Sequence, residues 1–246
     1  MTDDALYHDA ALADFYDLEN GWAQDLEYCR TLAARAGSVL DLGCGTGELA
    51  VALSGGRQVT GVDPAGAMLA IARAKPGAET VRFVEGDARS IRLGQRFDLV
   101  VLTGHAFQVF LTEADQRAAL ATIAAHLAPG GTFIFDSRNP ATREWLEWVP
   151  EASTRDLDHP RLGAVTAWND MRHDAATGIV AYDTIYEIKA TGERLAATSE
   201  IRFTDKARLE TLIGEAGLAV DRWLGDWHGA PWHEQATEII PLGRLA

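Results

Sequence analysis

Five short apolar runs, each followed by a turn and most by a helical stretch, narrow the possible folds of this chain more than any other feature. They are Ser38–Leu42, Gln58–Val62, Thr80–Val84, Phe97–Leu102 and Gly131–Asp136. Helical patterns fall between them near Glu48–Ser54, Ala65–Ala74 and Glu113–Leu127. The runs are dominated by apolar residues rather than strictly alternating, as strands covered on both faces tend to be. Strand and helix in alternation specify right-handed crossovers, and hence a parallel, doubly wound α/β sheet.

The flanks read differently. Residues 4–36 look helical with an interruption at Asn20-Gly21, making residues 1–36 an N-terminal helical cap. Residues 140–162 have no periodicity. Three alternating stretches follow, Ala164–His173, Ile179–Lys189 and Leu195–Phe203, separated by glycine-containing turns. They predict a small three-stranded antiparallel insertion, with residues 140–203 acting as a lid on a single domain spanning 1–246. A helix over Lys206–Glu215 with Thr204 as its N-cap, ended by Gly217, precedes two last strands near Ala219–Gly225 and Thr237–Leu242.

Composition removes several classes of function. The 36 acidic residues outnumber the 22 basic ones, for a formal charge of −14, and no Lys/Arg cluster offers a path for a phosphate backbone, so no nucleic-acid partner is expected. No apolar run approaches the roughly 18 residues that span a bilayer, so no membrane partner is expected. Cys29 and Cys44 have no metal-like spacing, and no metal is expected. The acidic start MTDDALYHDA lacks a signal-peptide pattern, which predicts a cytoplasmic protein.

The chemistry concentrates in Val39-Leu40-Asp41-Leu42-Gly43-Cys44-Gly45-Thr46-Gly47, where a strand turns through three glycines into a helix N-terminus. Such a turn lets a ligand press on the main chain and meet exposed N–H groups. A dinucleotide fingerprint is G-x-G-x-x-G, and its third position here is Glu48. The observed spacing is G-x-G-x-G, preceded by an acid. Asp63 closes the second strand, where a carboxylate can accept from both hydroxyls of a ribose. Gly86-Asp87-Ala88-Arg89 follows the third strand and Thr103-Gly104-His105 the fourth.

These segments, VLDLGCGTGELA, VTGVDPAGAML, FVEGDARSI, FDLVVLTGHAFQVF and LAPGGTFIFDSRNP, resemble the class I S-adenosylmethionine-dependent methyltransferases, in order, from about Ser38 to Pro140. The resemblance implies a Rossmann-like seven-stranded sheet of order 3-2-1-4-5-7-6 with strand 7 antiparallel. It implies S-adenosyl-L-methionine as cofactor, with Gly43, Gly45 and Gly47 under the methionyl part and Asp63 on the ribose. It puts Asp87 and Ala88 at the adenine and Thr103 and Gly104 near the sulfonium. Tyr16, Asp41, Cys44, Pro64, Met68 and Arg89 complete the expected cofactor-facing set. The resemblance also implies methyl transfer to an oxygen or nitrogen of a small-molecule acceptor.

Ligands in open α/β sheets sit beyond the carboxyl ends of the strands. There, loops carry His105 and Gln108 after strand four, Asp136, Arg138 and Asn139 after strand five, and Trp227 and His228 after strand six. His105 and His228 are the candidate general bases, expected to face one cavity. Gln108, Arg138 and Trp227 are candidate acceptor contacts, and Trp145, Trp148 and Trp168 offer flat surface on the insertion. A methyltransferase acting on RNA or protein, a dehydrogenase and a non-catalytic cofactor-binding module are the competing readings. The sequence leaves the choice between monomer and homodimer open.

Overall fold

The computed structural model describes residues 4–246. The core sheet contains β1 (Ser38–Leu42), β2 (Gln58–Asp63), β3 (Val81–Glu85), β4 (Phe97–Leu102) and β5 (Leu127–Phe135), followed by the two-residue β6 (Ser137–Arg138). An insertion supplies β7 (Arg155–His159), β8 (Gly163–Asp174), β9 (Ile179–Ile188) and β10 (Arg194–Arg202), and the chain ends in β11 (Leu218–Leu224) and β12 (Glu238–Leu245). The core order is β11-β12-β5-β4-β1-β2-β3, with β6 paired to β12. All neighbours are parallel except β12, which runs against both β5 and β11. With β11 and β12 as the sixth and seventh core strands, this is the order 3-2-1-4-5-7-6 expected above.

One face of the sheet is packed around Leu40, Leu42, Val100, Leu102, Phe133 and Phe135, the other around Val39, Val59, Leu99, Val101 and Ile134. That division explains why the central strands read as mostly apolar runs. No helix among the described residues is long and apolar enough to cross a membrane.

Four departures from the sequence reading have local causes. The N-terminal segment is not one broken helix but four: α1 (Ala5–His8), α2 (Ala10–Ala13), α3 (Tyr16–Glu19) and α4 (Gln24–Leu32). Asp4 and Asp9 each accept from an amide two residues on, Leu6 N–H at 3.0 Å and Ala11 N–H at 2.8 Å, so Asp9 ends one helix and caps the next. The fifth strand begins at Leu127, because Ala128–Gly131 form a bulge: Phe97 pairs with Leu127 and Leu99 with Thr132. Gly131 permits it, since a Cβ there would lie 2.8 Å from the Phe97 carbonyl oxygen.

The insertion has four strands rather than three, in the order β10-β9-β8-β7. Arg-Asp-Leu-Asp-His is so charged that its alternation, Leu157 and His159 inward, escapes notice. Finally, the helix over Lys206–Glu215 is capped by Asp205, which accepts from Arg208 N–H at 2.9 Å. Thr204 instead accepts a hydrogen bond from Gln116 Nε2 at 2.9 Å.

The remaining helices α5 (Glu48–Leu53), α6 (Gly66–Ala74), α7 (Glu113–His126), α8 (Pro150–Ser153) and α9 (Lys206–Glu215) lie close to expectation or in the insertion. The antiparallel sheet packs one cluster, Val165, Ala167, Tyr186, Ile188 and Ala197, onto Leu12 and Phe15 of the N-terminal segment. Trp145 is buried in a second cluster with Val180, Ile201 and Phe203, and Trp168 lies under the Arg194 guanidinium. Neither ring is the free surface the sequence suggested.

Candidate active site

The glycine turn leaves β1 and is tied to β2 at once: Gly43 and Cys44 N–H both donate to the Val62 carbonyl, at 2.7 and 3.0 Å. Gly43, Gly45 and Gly47 all have φ near +50 to +75°, a region costly for residues with a Cβ. Gly47 leaves no room for a side chain, for a Cβ there would meet Phe83 at 2.8 Å and Ala72 at 2.9 Å. Glu48 opens α5 and is held by Lys75 at 2.5 Å.

Asp63, at the end of β2, accepts from Gly45 N–H and Ala65 N–H, both at 2.9 Å, so it shapes the turn as well as facing it. Burial raises its pKa against those two hydrogen bonds. Asp41 is 2% exposed, and burial, with Asp63 adding, pushes it up to about 7. Two acids thus sit beside the turn without an ion-pair partner among the described residues.

Tyr16, the first residue of α3, covers this floor. A Cβ on Gly45 would meet Met68 Cε at 3.4 Å and the Tyr16 ring at 3.8 Å, and one on Gly104 would meet the Tyr16 hydroxyl at 3.6 Å. Pro64 follows Asp63, and Cys44 is packed against Gly61. The segment bearing Tyr16 is fastened on both sides. Asp17 accepts from the Thr46 hydroxyl at 2.5 Å and pairs with Lys75 at 2.7 Å, toward the turn. Phe15 stacks on Tyr186 at 4.0 Å, Asp14 pairs with Arg161, and Glu19 pairs with Arg155 at 2.5 Å, toward the insertion.

After β3, Asp87 caps its own turn by accepting from Arg89 N–H at 2.8 Å, and its carboxylate is gripped by the Arg89 guanidinium at 2.5 Å. That hydrogen bonding holds its pKa below the usual carboxylate range. Arg89 also reaches Asp115 at 2.8 Å, and Ala88 is buried in the core.

Beyond β4, Thr103 leads into Gly104 and His105, both left-handed, at φ +67° and +59°. A histidine in that region is held there by its surroundings. Its N–H donates to Asp136 Oδ1 at 3.1 Å, and its Nε2 lies 3.0 Å from Glu238 Oε1 and 3.5 Å from Asp136 Oδ2. Three strand ends, of β4, β5 and β12, therefore deliver one imidazole and two carboxylates to a single point. Asp136 Oδ2 and Glu238 Oε2 are buried without any hydrogen-bond partner. Burial lifts Asp136 to about 6 against the pull of His105, with Glu238 raising it further. For His105, burial favours the neutral ring, but Asp136 and Glu238 outweigh it and the pKa is raised overall.

A carboxylate only accepts, so Nε2 carries hydrogen toward Glu238, and in the neutral ring Nδ1 is then the nitrogen with a free lone pair. Glu238 has no local signature and was missed in the sequence. Gln108 is fully buried and joined to Arg138, whose Nη1 donates to its Oε1 at 3.1 Å. Arg138 also donates to Glu144 at 3.0 Å and lies 5.1 Å over the Trp148 ring. Trp227 and His228 do not join this group. Trp227 is buried against Tyr28 at 5.8 Å, in the core, and His228 is exposed. The loop does leave the expected edge, but packing of its tryptophan onto α4 carries the histidine out to solvent.

A pyrophosphate placed on this turn would meet Asp41 and Asp63, whereas a cofactor bearing a sulfonium and an ammonium would relieve both. With the reversed last strand, that donor set defines a nucleoside-binding fold adapted to a cationic ligand. Residues 39–131 match the family model described as a methyltransferase domain. The chain is 29% identical to the cypemycin N-terminal methyltransferase of a Streptomyces species, over 98% of both chains. It is 32% identical over 123 residues to the dTDP-3-amino-3,4,6-trideoxy-alpha-D-glucopyranose N,N-dimethyltransferase of Streptomyces venezuelae, covering 50% of this chain and 47% of that one. Its fold matches an S-adenosylmethionine-dependent methyltransferase from Clostridium acetobutylicum ATCC 824 with a TM-score of 0.78, at 17% identity, covering 96% of this chain and 98% of the other. The family match, the relatives and the shared fold together support a class I S-adenosylmethionine-dependent methyltransferase, with residues 39–131 as its methyltransferase domain.

Proposed function

We propose that this protein transfers a methyl group to the nitrogen of a small-molecule or peptide amine, with His105 taking the proton that the amine must lose. The observation that carries this reading is the His105 ring held between Asp136 and Glu238 beside Gly104 and the covering Tyr16. S-adenosylmethionine, when bound, supplies a methyl group already activated on a sulfonium. Asp41 and Asp63 have the charge to hold its cationic and ribose parts, Gly43, Gly45 and Gly47 clear the space, and Met68 and Tyr16 wall it. Asp87, Ala88 and Arg89 border the adenine end, where Asp87 has most of its capacity taken by Arg89.

On the acceptor side, two carboxylates favour an amine over a hydroxyl. An amine becomes positive as it gains a methyl group, and Asp136 and Glu238 stabilise that developing charge. An alkoxide would be repelled by the same pair. An arriving ammonium can surrender a proton to Nδ1 of His105 while Nε2–H stays on Glu238, which leaves the nitrogen lone pair free to attack. Gln108 and Arg138 stand next to this group and steer the acceptor. The relatives named for peptide N-termini and amino sugars are consistent with a nitrogen acceptor.

Neutral His105 is the working form, so the rate should rise with pH through the raised His105 pKa. Asp136→Asn removes a carboxylate that raises it, and the acid limb of the kcat profile should move to lower pH. An unmoved limb in a folded variant would remove His105 from proton transfer. For the cofactor, Asp63→Ala should weaken S-adenosylmethionine binding by about 2–3 kcal/mol, the scale of charge-assisted hydrogen bonds. Calorimetry returning the wild-type Kd would take Asp63 out of the cofactor site.

A further inference from the structure

We propose that the cleft between α3 and the insertion seats the non-reacting part of the amine acceptor, and that it selects amines carrying an apolar group and no phosphate. This rests on the amine-methylating reading above and extends it to which amines are taken. The cleft has a volume of about 500 Å³. Leu18 and Glu19 of α3 form one wall, and Trp148, Ser153, Arg155 and Leu157 form the other.

Two connections lead from it to the reacting centre. Leu18 and Glu19 lie on the same helical turn as Tyr16, which covers Gly45 and Gly104. Trp148 lies under the Arg138 guanidinium, and the Arg138 backbone is the strand neighbour of Glu238, the partner of His105, where β6 pairs with β12.

The chemistry of the walls sets the ligand class. Leu18 is 38% exposed and Leu146, next to the cleft residue Glu147, 56%, an apolar rim left open among the described residues. The cleft's cation is used up within the protein. Arg155 Nη2 donates to Glu19 Oε2 at 2.5 Å, and its Nη1 donates to the Ser153 carbonyl and Asn169 Oδ1, each at 3.0 Å. Glu19 is already engaged by Arg155 and by the Tyr186 hydroxyl, and Glu147 stands exposed on the opposite wall beside Trp148. Two carboxylates against one committed guanidinium repel phosphate, as does the net charge of −14. The S. venezuelae relative is named for a dTDP-linked sugar, and a diphosphate of that kind needs cations that these walls do not offer.

Ala152 lies exposed on the cleft wall in α8, so Ala152→Trp fills the cleft without entering the core. Methylation of alanyl-leucinamide and of glycinamide is followed by S-adenosylhomocysteine release. In Ala152→Trp the ratio of their KM values should rise tenfold or more, with the cofactor Kd measured as the folding control. An unchanged ratio overturns the cleft assignment. Replacing leucine by phosphoserine should raise the wild-type KM at least tenfold, and Glu147→Lys should narrow that gap. Equal use of both peptides overturns the phosphate exclusion. If neither amine is methylated, the amine reading fails, and calorimetry with S-adenosylhomocysteine present tests the cleft alone. Alanyl-leucinamide binding weakened by Ala152→Trp sustains the cleft, and binding that is absent or insensitive to the substitution sinks it.

Discussion

His105→Asn is expected to lower kcat by about 10²–10⁴-fold while leaving the cofactor Kd at its wild-type value. That range corresponds to about 2.7–5.5 kcal/mol of barrier. Asparagine is the informative replacement because it tolerates the left-handed backbone and keeps the N–H that donates to Asp136. What it lacks is the Nδ1 lone pair. Methyl transfer also draws on alignment alone, so a loss below about tenfold would mean that the ring only shapes the pocket. The same three side chains offer ligand atoms within 4.8 Å of one another, a donor set that also suits a divalent cation. Wild-type turnover that collapses on chelation and returns with Mn²⁺ would therefore overturn the proton-transfer role.

Gly45→Val is expected to reduce S-adenosylmethionine affinity by at least about a hundredfold. Its φ of +52° already costs a β-branched residue roughly 1–2 kcal/mol. The added side chain then points at Met68 and Tyr16, the walls assigned to the cofactor. Gly55 supplies the control, since a Cβ there meets nothing within 4 Å and its φ is not positive, so Gly55→Ala should bind as wild type. Calorimetry beside a thermal melt separates lost binding from lost folding. Normal binding by folded Gly45→Val would show that the turn is not the site.

The core strands were readable because burial on both faces makes them mostly apolar, as in Val39–Leu42 and Leu99–Leu102. β7 was not, because its covered face is made by Arg155, Leu157 and His159, and only one of those three is apolar. The N-terminal segment misled for a related reason: its apolar spacing is helical, but Asp9 offers its own carboxylate to the backbone and restarts the helix. In the site, Asp63 was legible because a strand, an acid and a glycine turn are close in sequence. Glu238 is 133 residues from the histidine it meets, and a lone glutamate opening a final strand has no local mark. Trp227 and His228 were placed on the right edge by topology, yet topology does not say which way a side chain turns. Tyr28 decided that, by offering Trp227 a ring to pack on.

The fastening from Asp14 to Glu19 constrains the chain in length more than in spelling. Its side chains alternate between two bodies, with Phe15 and Glu19 held by the insertion and Tyr16 and Asp17 by the glycine turn. Within a single helical turn each residue is rotated about 100° from the last. Removing one residue would thus swing every later side chain toward the wrong body, whatever its identity. Natural variation here should take the form of exchanged residues, while gains and losses of residues collect in the exposed turns Ala175–Gly178 and Ala190–Gly192, which join neighbouring strands of one sheet and have no second body to satisfy.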